Sequence, residues 1–488
     1  MGMKGKSLIN ALAVVTILGL MMLVFSVRAA SSTGWGVAQL VETEDSEFAM
    51  YPEVAVDGSG NAVAVWYQFD NTRLNIWSNR YVVGSGWGVA ELIETNDSGS
   101  AGWPQVSVDS PGNAIAVWEQ DDGTRYNVWS NRYAVGTGWG TAELIETDDS
   151  GNAWDVRVSE DASGNAFAVW SQNDGVRFNI MSNRYVVGSG WGVADLVETD
   201  DSGNATDPEL SVEASGNAIV VWSQYDGATF NIRSSRFPVG TGWGTAEFVE
   251  TDDSEDAKNP MVSLDSSGTA TAVWFQYNGT RSDIWSNRNV LGTGWGVAHL
   301  IETDDSGNAS YPQVSADSSG NVIAVWQQQD GNLYNIWSNR YALGTGWGDA
   351  ELIETEDLGS AYYPQVSVDS SGDGIAVWSQ VNGDRKDVWS NRYTIGDGWG
   401  TATLIETNDS GDAIGPKVCM YGSGKAIVVW SQWDGACEDI WSNHYIEPET
   451  DSQSLLPIAL VAIVAAVVAV IAYVFVRRRQ PPKEQRQA

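Results

Sequence analysis

A tryptophan recurs at a constant step of 52 residues along this chain, at Trp35, Trp87, Trp139, Trp191, Trp243, Trp295, Trp347 and Trp399, with no insertion or deletion between copies. Uniform length over eight copies is a geometric constraint. Each copy is one supersecondary unit that cannot bury its own faces and must stack on its neighbours. In the copy that starts at Trp295, the segments Pro312–Asp317, Val322–Gln327, Asn335–Tyr341 and Trp347–Glu354 read as four short strands. They are separated by a Ser-Ser-Gly-Asn turn, the turn at Asp330 and Gly331, and the Gly-Thr-Gly turn at 344–346. Such turns are what hairpins of successive antiparallel strands require.

Four strands per unit is the content of one blade of a β-propeller, and side-chain size orders them from hub to rim. Segments of the type PQVSVD carry no bulky aromatic residue and suit the crowded hub. Segments of the type AIAVW are apolar on both alternating faces, so each is expected to be covered by the blades on either side. The NIWSNRY and WGTAELIE types alternate apolar with polar and are expected further out, half wetted. The repeat region starts with a lone outer strand, Trp35–Glu42, and ends at Pro416–Tyr445 with three strands and no outer one. Pairing the first with the last would remove two sheet edges. The expectation is therefore all-β: an eight-bladed propeller over residues 31–446, closed by its N-terminal strand.

The two ends read differently. Residues 1–30 have Lys4 and Lys6 before a largely apolar run and a small residue near Ala30, the pattern of a signal peptide. Residues 447–454 form a short polar stalk, and Leu455–Val476 is apolar for 22 residues. As a helix that run spans about 33 Å, enough for a hydrocarbon core of about 30 Å. Arg477, Arg478 and Arg479 follow, which makes 477–488 a cytoplasmic tail and the protein single-pass, type I, with an extracellular propeller at the cell membrane. The expected partners are then the membrane, through that helix, and an extracellular ligand met by a monomeric ectodomain.

Between these ends, residues 31–453 hold 18 Lys and Arg against 62 Asp and Glu. A field of that sign repels nucleic acid, which excludes a nucleic-acid partner. Much of the charge lies in the loops ETDDSGNA and their relatives, on the expected outward face. General surface acidity accounts for it; a calcium-binding face is the sharper alternative, although no loop has the D-x-D-x-D-G spacing and no cofactor is otherwise called for.

Comparison among the copies separates scaffold from candidate function. The Glu that ends each outer strand (Glu42 through Glu406), the Asp three residues on (Asp45 through Asp409), the second-strand tryptophans (Trp66 through Trp430) and the Arg of SNRY hardly vary between copies. Identical demands in every blade point to turns and blade contacts. The residues just before each inner strand do vary, and several are aromatic: Tyr51, Trp103, Trp154, Tyr311, Tyr362 and Tyr363 are the candidate ligand-binding residues. Aromatic faces rimmed by carboxylates suit a sugar or a peptide. Sequons at Asn96, Asn204, Asn278, Asn308 and Asn408 are candidate glycosylation sites, or else turn residues. Cys419 and Cys437 are expected to stay unbridged, because the strand register puts them at opposite ends of the last blade.

Catalytic signals are thin. There are two histidines, His299 and His444, on different blades, and no H-E-x-x-H or G-x-S-x-G. The hairpin Val108–Trp118, VDSPGNAIAVW, resembles the Asp-box turn of sialidase-type propellers and the inner hairpin of NHL-like repeats. Asp109 and Gly112 are three residues apart where the Asp-box has two. The resemblance runs from Trp35 to Tyr445 and implies the propeller fold; a sialidase-like site would also need an arginine cluster, and the arginines here are mostly the repeated one. The expectation is a cell-surface binding or interaction module for carbohydrate or protein ligands. The alternatives are an extracellular carbohydrate-active enzyme, glycosidase or lyase, and a structural envelope component.

Overall fold

The computed structural model describes residues 34–446 apart from 44–46, 97, 148–149, 200–201, 253, 304–306, 356–358 and 408–410. The expected signal, stalk, apolar segment and tail lie outside them, as do Asn408 and the repeated Asp45-to-Asp409 position. Among the described residues no helix is long and apolar enough to cross a membrane. Those residues fold as eight antiparallel sheets, each with the expected sequential strand order. In the first blade the inner strand is Ala49–Val56, the second Ala62–Phe69 and the third Leu74–Val82. The outer strand is interrupted: only Gly86–Trp87 and Glu91–Leu92 pair with the third. Between them the chain leaves the ladder, so the continuous outer strand read from the sequence is replaced by two short contacts.

The ring closes. Gly34–Trp35 and Gln39–Leu40 pair with Glu438–Ile446, the third strand of the last blade. Gln39 lies opposite Ser442, and the Val41 N–H donates to the Ile440 carbonyl at 2.8 Å. The eighth blade thus takes its outer strand from the start of the chain.

What holds neighbouring blades together is already in the alternation of the second strand. Ala62, Ala64 and Trp66 face back against Ile427, Val429 and Ile440 of the eighth blade. Val63 and Val65 face forward against Ala101, Ala114, Ala116 and Trp118 of the second. Small residues on one face receive branched residues from the next, which is how a close-packed interface is filled. All eight second-strand tryptophans are completely buried, and each indole N–H must find an acceptor there. Trp118 Nε1 donates to Gln120 Oε1 (3.1 Å), and Gln120 Nε2 donates to Glu94 Oε2 (2.8 Å), the Glu that ends the preceding blade's outer strand. The repeated Trp, Gln and Glu are one buried relay across a blade junction. The Asn of SNRY does similar work: Asn131 donates to the carbonyls of Ile93 in the preceding blade and Gly140 in its own. The third strand is consequently more buried than the expected half-wetted one.

At the end of the molecule where the first hairpin turns lie, the SNRY arginine staples blades. Arg132 approaches the buried carboxylate of Asp109 (3.7 Å) and lies over the Tyr185 ring of the next blade (5.1 Å). At the closure the arginine is replaced by His444, whose ring meets Tyr81 of the first blade at 4.1 Å. Burial pulls the His444 pKa down to about 4. The folded state therefore resists protonation that the unfolded chain accepts, and stability falls as pH drops from about 6.5 towards 4, by up to about 3 kcal/mol. The thermal midpoint should fall over that window, and His444→Arg should remove this part of the loss.

A second irregularity is Glu160, which stands where other inner strands have Val56, Val108, Val212 or Val368. Burial, with Asp109 and Asp161 nearby, pushes its pKa up to about 9. Glu160→Val should raise stability by about 1–2 kcal/mol, measured by denaturant unfolding.

Candidate functional site

The inner strands start earlier than the sequence suggests, and the variable residues lie inside them rather than before them. In the first blade Met50 faces Tyr67 and Glu53 faces Val65, so Tyr51 and Pro52 together oppose one residue. This is a β-bulge, and it recurs in every blade. Proline is tolerated there because the bulged residue makes no ladder bond. The residue before it takes left-handed φ throughout: Tyr51, Trp103, Asp155, Asp207, Asn259, Tyr311 and Tyr363 lie between 52° and 59°, and Gly415 at 61°. Gly, Asn and Asp adopt that conformation at little cost, whereas a bulky side chain pays about 1–2 kcal/mol. Four blades nonetheless carry Tyr or Trp there.

The bulge turns those side chains out of the sheet to the mouth of the central channel, where Tyr51, Trp103, Tyr311 and Tyr363 are 45–52% exposed. Trp154 and Tyr362 come from one position earlier, and all six sequence candidates line one cavity of about 940 Å³. They form two separate sectors. On one side Tyr51 meets Trp103 (4.5 Å, edge-on) and Tyr67 (5.4 Å, stacked), and Trp154 stacks on Phe178 (5.5 Å). On the other Tyr311 meets Tyr363 edge-on at 5.0 Å and Tyr362 lies 5.5 Å from Tyr334. The fourth and fifth blades, with Asp207 and Asn259 at the bulge, are not among its lining residues.

The floor is set two residues further along each inner strand. Lys417 Nζ pairs with Glu53 (2.8 Å), which also accepts from Gln105 (3.2 Å), and Arg157 Nε pairs with Glu209 (2.8 Å). Two balanced ion pairs thus join neighbouring blades around the hub, unlike the acid-rich loops above.

One wall group was missed by the sequence reading. Glu119, on the second strand of the second blade, is 6% exposed and accepts the backbone N–H of Asp155 at 2.6 Å. Gln327 accepts the Tyr363 N–H in the same way at 3.0 Å. Burial above all pushes the Glu119 pKa up to about 7, with the Asp155 charge adding and the Asp155 N–H and Arg157 opposing. Asp155 is itself raised by burial and by Asp207. The signal was available: other copies have Tyr67, Ser171, Ser223, Phe275, Gln327, Ser379 and Ser431 at this position. A carboxyl poised near neutrality gives the cavity a proton donor and acceptor.

The sequon asparagines are engaged in turns. Asn204 and Asn308 accept N–H groups from the preceding blade (Phe178 and Ser282, both 3.0 Å). Asn278 accepts from Thr280 and donates to Asp283, and Asn96 accepts from Ser98. Cys419 and Cys437 are both free thiols, as expected. Among the described residues one group has donors close enough to hold a metal ion, Asp434, Cys437 and Asp439, within 4.8 Å of one another. Asp434 already accepts the N–H groups of Ala436 and Cys437, and the Cys437 thiol points to Asp439 at 3.3 Å. It is not part of the cavity lining.

No protein-family model matches the chain, and neither does any curated protein. Solved structures do. An ulvan lyase, a polysaccharide lyase bound to a GlcA(1-4)Rha3S unit, is 9% identical with a TM-score of 0.50, over 69% of this chain and 90% of that one. A protein of unknown function from Dyadobacter fermentans is 10% identical with a TM-score of 0.41, over 73% and 97%. A leech intramolecular trans-sialidase is 9% identical with a TM-score of 0.39, over 85% and 94%. At such identities the likeness concerns the fold.

If Glu119 is held protonated by its surroundings, stability conferred at low pH is lost as pH rises from about 4.5 to about 7, by up to about 3 kcal/mol. Glu119→Gln, which keeps the acceptor as Gln327 does, should be more stable than the parent at pH 8 and nearly equal at pH 4.5, compared by thermal melts.

Proposed function

We propose that this chain is a membrane-anchored, extracellular propeller whose aromatic mouth binds carbohydrate. The observation that carries the reading is the placement of Tyr51, Trp103, Tyr311 and Tyr363 in left-handed backbone, half exposed around one cavity. The scaffold itself is served as well by Gly415 or Asn259, so the rings answer to something other than the fold. Flat apolar faces with carboxylates, amides and ammonium groups between them match the alternating C–H faces and hydroxyls of a sugar ring. A cavity of about 940 Å³ has room for a short oligosaccharide. Two aromatic sectors facing each other across a polar floor favour an elongated ligand with a contact at each end.

A second reading, a carbohydrate-active enzyme, is favoured by Glu119 alone: a buried carboxyl that titrates near pH 7 in the same cavity is the equipment of general acid–base catalysis. The anchoring rests on residues 455–476 and the three arginines after them.

A glycan array probed with the purified protein tests the binding reading. Trp103→Gly, which adopts the backbone that Gly415 already shows, is expected to keep the thermal midpoint while lowering affinity for the bound glycan at least about tenfold, the loss of one stacked ring. Unchanged glycan affinity in both Trp103→Gly and Tyr363→Gly would rule the aromatic mouth out. Release of fragments from a bound polysaccharide, abolished in Glu119→Gln with binding retained, would establish the enzymatic reading instead.

A further inference from the structure

The two ends of the propeller differ in chemistry. At the mouth end, the turns between second and third strands expose acids, Asp70, Asp122, Asp174, Asp226, Asp330 and Asp384 among them. At the opposite end two sets of turns meet. The turns between inner and second strands present Gly, Ser, Pro and Ala, and their aspartates are turned inward: Asp57, Asp109, Asp161, Asp265, Asp317 and Asp369 are all buried. In the seven blades that have a turn between third and outer strands, that turn projects an aliphatic side chain: Val83, Val135, Val187, Val239, Leu291, Leu343 and Ile395, 46–64% exposed. Among the described residues of both sets of turns, Asp397 is the one fully exposed charge; Glu213, Asp373 and Lys425 are half-buried, and the SNRY arginines lie at this end too, Arg132 with 25% of its side chain exposed.

The aliphatic circle is fixed in place. The Val83 N–H donates to Asn61 Oδ1 of the same blade (3.1 Å), Val135 to Asn113 (3.0 Å), Leu343 to Asn321 (3.1 Å) and Ile395 to Asp373 (2.9 Å). With Val187 held by Asn165 and Val239 by Asn217 in the same way, six of the seven side chains stand on a braced turn with the apolar tip in solvent. Chains that carry so strong an acidic field do not ordinarily leave one end poor in exposed acids and rich in aliphatic tips without something to cover it. The third strand of the last blade, Glu438–Ile446, runs towards this same end, and after eight intervening residues the sequence becomes apolar at Leu455.

From the charge asymmetry, the braced aliphatic circle and the position of Ile446 we infer that this end of the propeller is a lipid-contacting surface that rests on the headgroup layer of a zwitterionic bilayer. Small hydroxyl-bearing turns with protruding Val, Leu and Ile are the composition of an interfacial surface: enough apolar area to enter the headgroup–acyl boundary, with Asp397 the one fully exposed charge to oppose it and the SNRY arginines at the level where lipid phosphates lie. Contact around a circle would also hold the acidic mouth away from the membrane, so that the ligand cavity opens outward. This inference rests on the anchoring part of the proposed function and is independent of which ligand the mouth takes.

The test uses the full chain reconstituted in phosphatidylcholine vesicles. Val135→Cys, Leu343→Cys and Ile395→Cys are labelled with a polarity-sensitive fluorophore, and Val176→Cys, 85% exposed on a turn at the mouth end, serves as reference. The unsubstituted chain, with its enclosed Cys419 and Cys437, gives the labelling background. With a quencher carried on the lipid near the headgroups, the three aliphatic positions should be quenched at least about twofold more than Val176 and should emit at shorter wavelength. Equal quenching at all four positions in protein that floats with the vesicles overturns the inference while leaving the anchor intact. Protection that depends on protein density and not on the lipid-borne quencher also overturns it, in favour of contact between two copies. A chain that fails to float with vesicles overturns the anchor and this inference together.

Discussion

Everything in this structure depends on the pairing of Gly34–Trp35 and Gln39–Leu40 with the third strand of the last blade. Each blade is too thin to bury its own apolar faces, so every core cluster is made by two neighbours, and a ring is the arrangement in which no blade lacks one. The junction at the seam is built with the same parts as the other seven. Trp87 Nε1 of the first blade donates to Ser442 Oγ of the last at 2.7 Å, and Asn443 spans to the carbonyls of Ile405 and Gly36. Departures cluster here: Tyr421 stands where the other first hairpins have Asp or Glu, and His444 stands for arginine, replacing a charged staple by a neutral ring against Tyr81 and giving the seam its own response to acid.

The regular parts of the fold were legible because they are repeated. Periodicity of 52, alternation in the second strand and the orphan strand at Trp35 together determine strand order, closure and the placement of Trp66 or Trp118 between blades. The invariant Glu was legible as structural by the same logic, and the buried relay through Gln120 to Glu94 supplies the reason. The outer strand was misread as continuous because WGTAELIE alternates along its whole length, while only its two ends reach the third strand.

The candidate site was half legible. Variation among copies picked out Tyr51, Trp103, Trp154, Tyr311, Tyr362 and Tyr363, yet it placed them ahead of the strand, because a bulge has no signature in the pattern of apolar and polar residues. Arg157, Glu209, Lys417 and Glu53 escaped notice: each looks like an ordinary surface charge on a strand, and only the packing of adjacent blades around the hub brings them together in pairs. Glu119 was hidden for another reason. It sits in the strand with the strongest apolar pattern, where a reader looks for core and not for a titrating group.

The bulge has a consequence for how such a protein can change. Because residue 51 and its seven counterparts make no ladder bond and point away from the packed faces, each can be exchanged without breaking the sheet that carries it. Tyr, Trp, Asp, Asn and Gly already share the position on a single backbone. Recognition at the mouth is thereby separated from the packing between blades, at the cost of left-handed backbone wherever a bulky ring stands there, and neighbouring positions such as Tyr51 and Trp103 act as touching pairs. A ring of this kind can be retuned to a new ligand by single replacements while the frame that presents them stays the same.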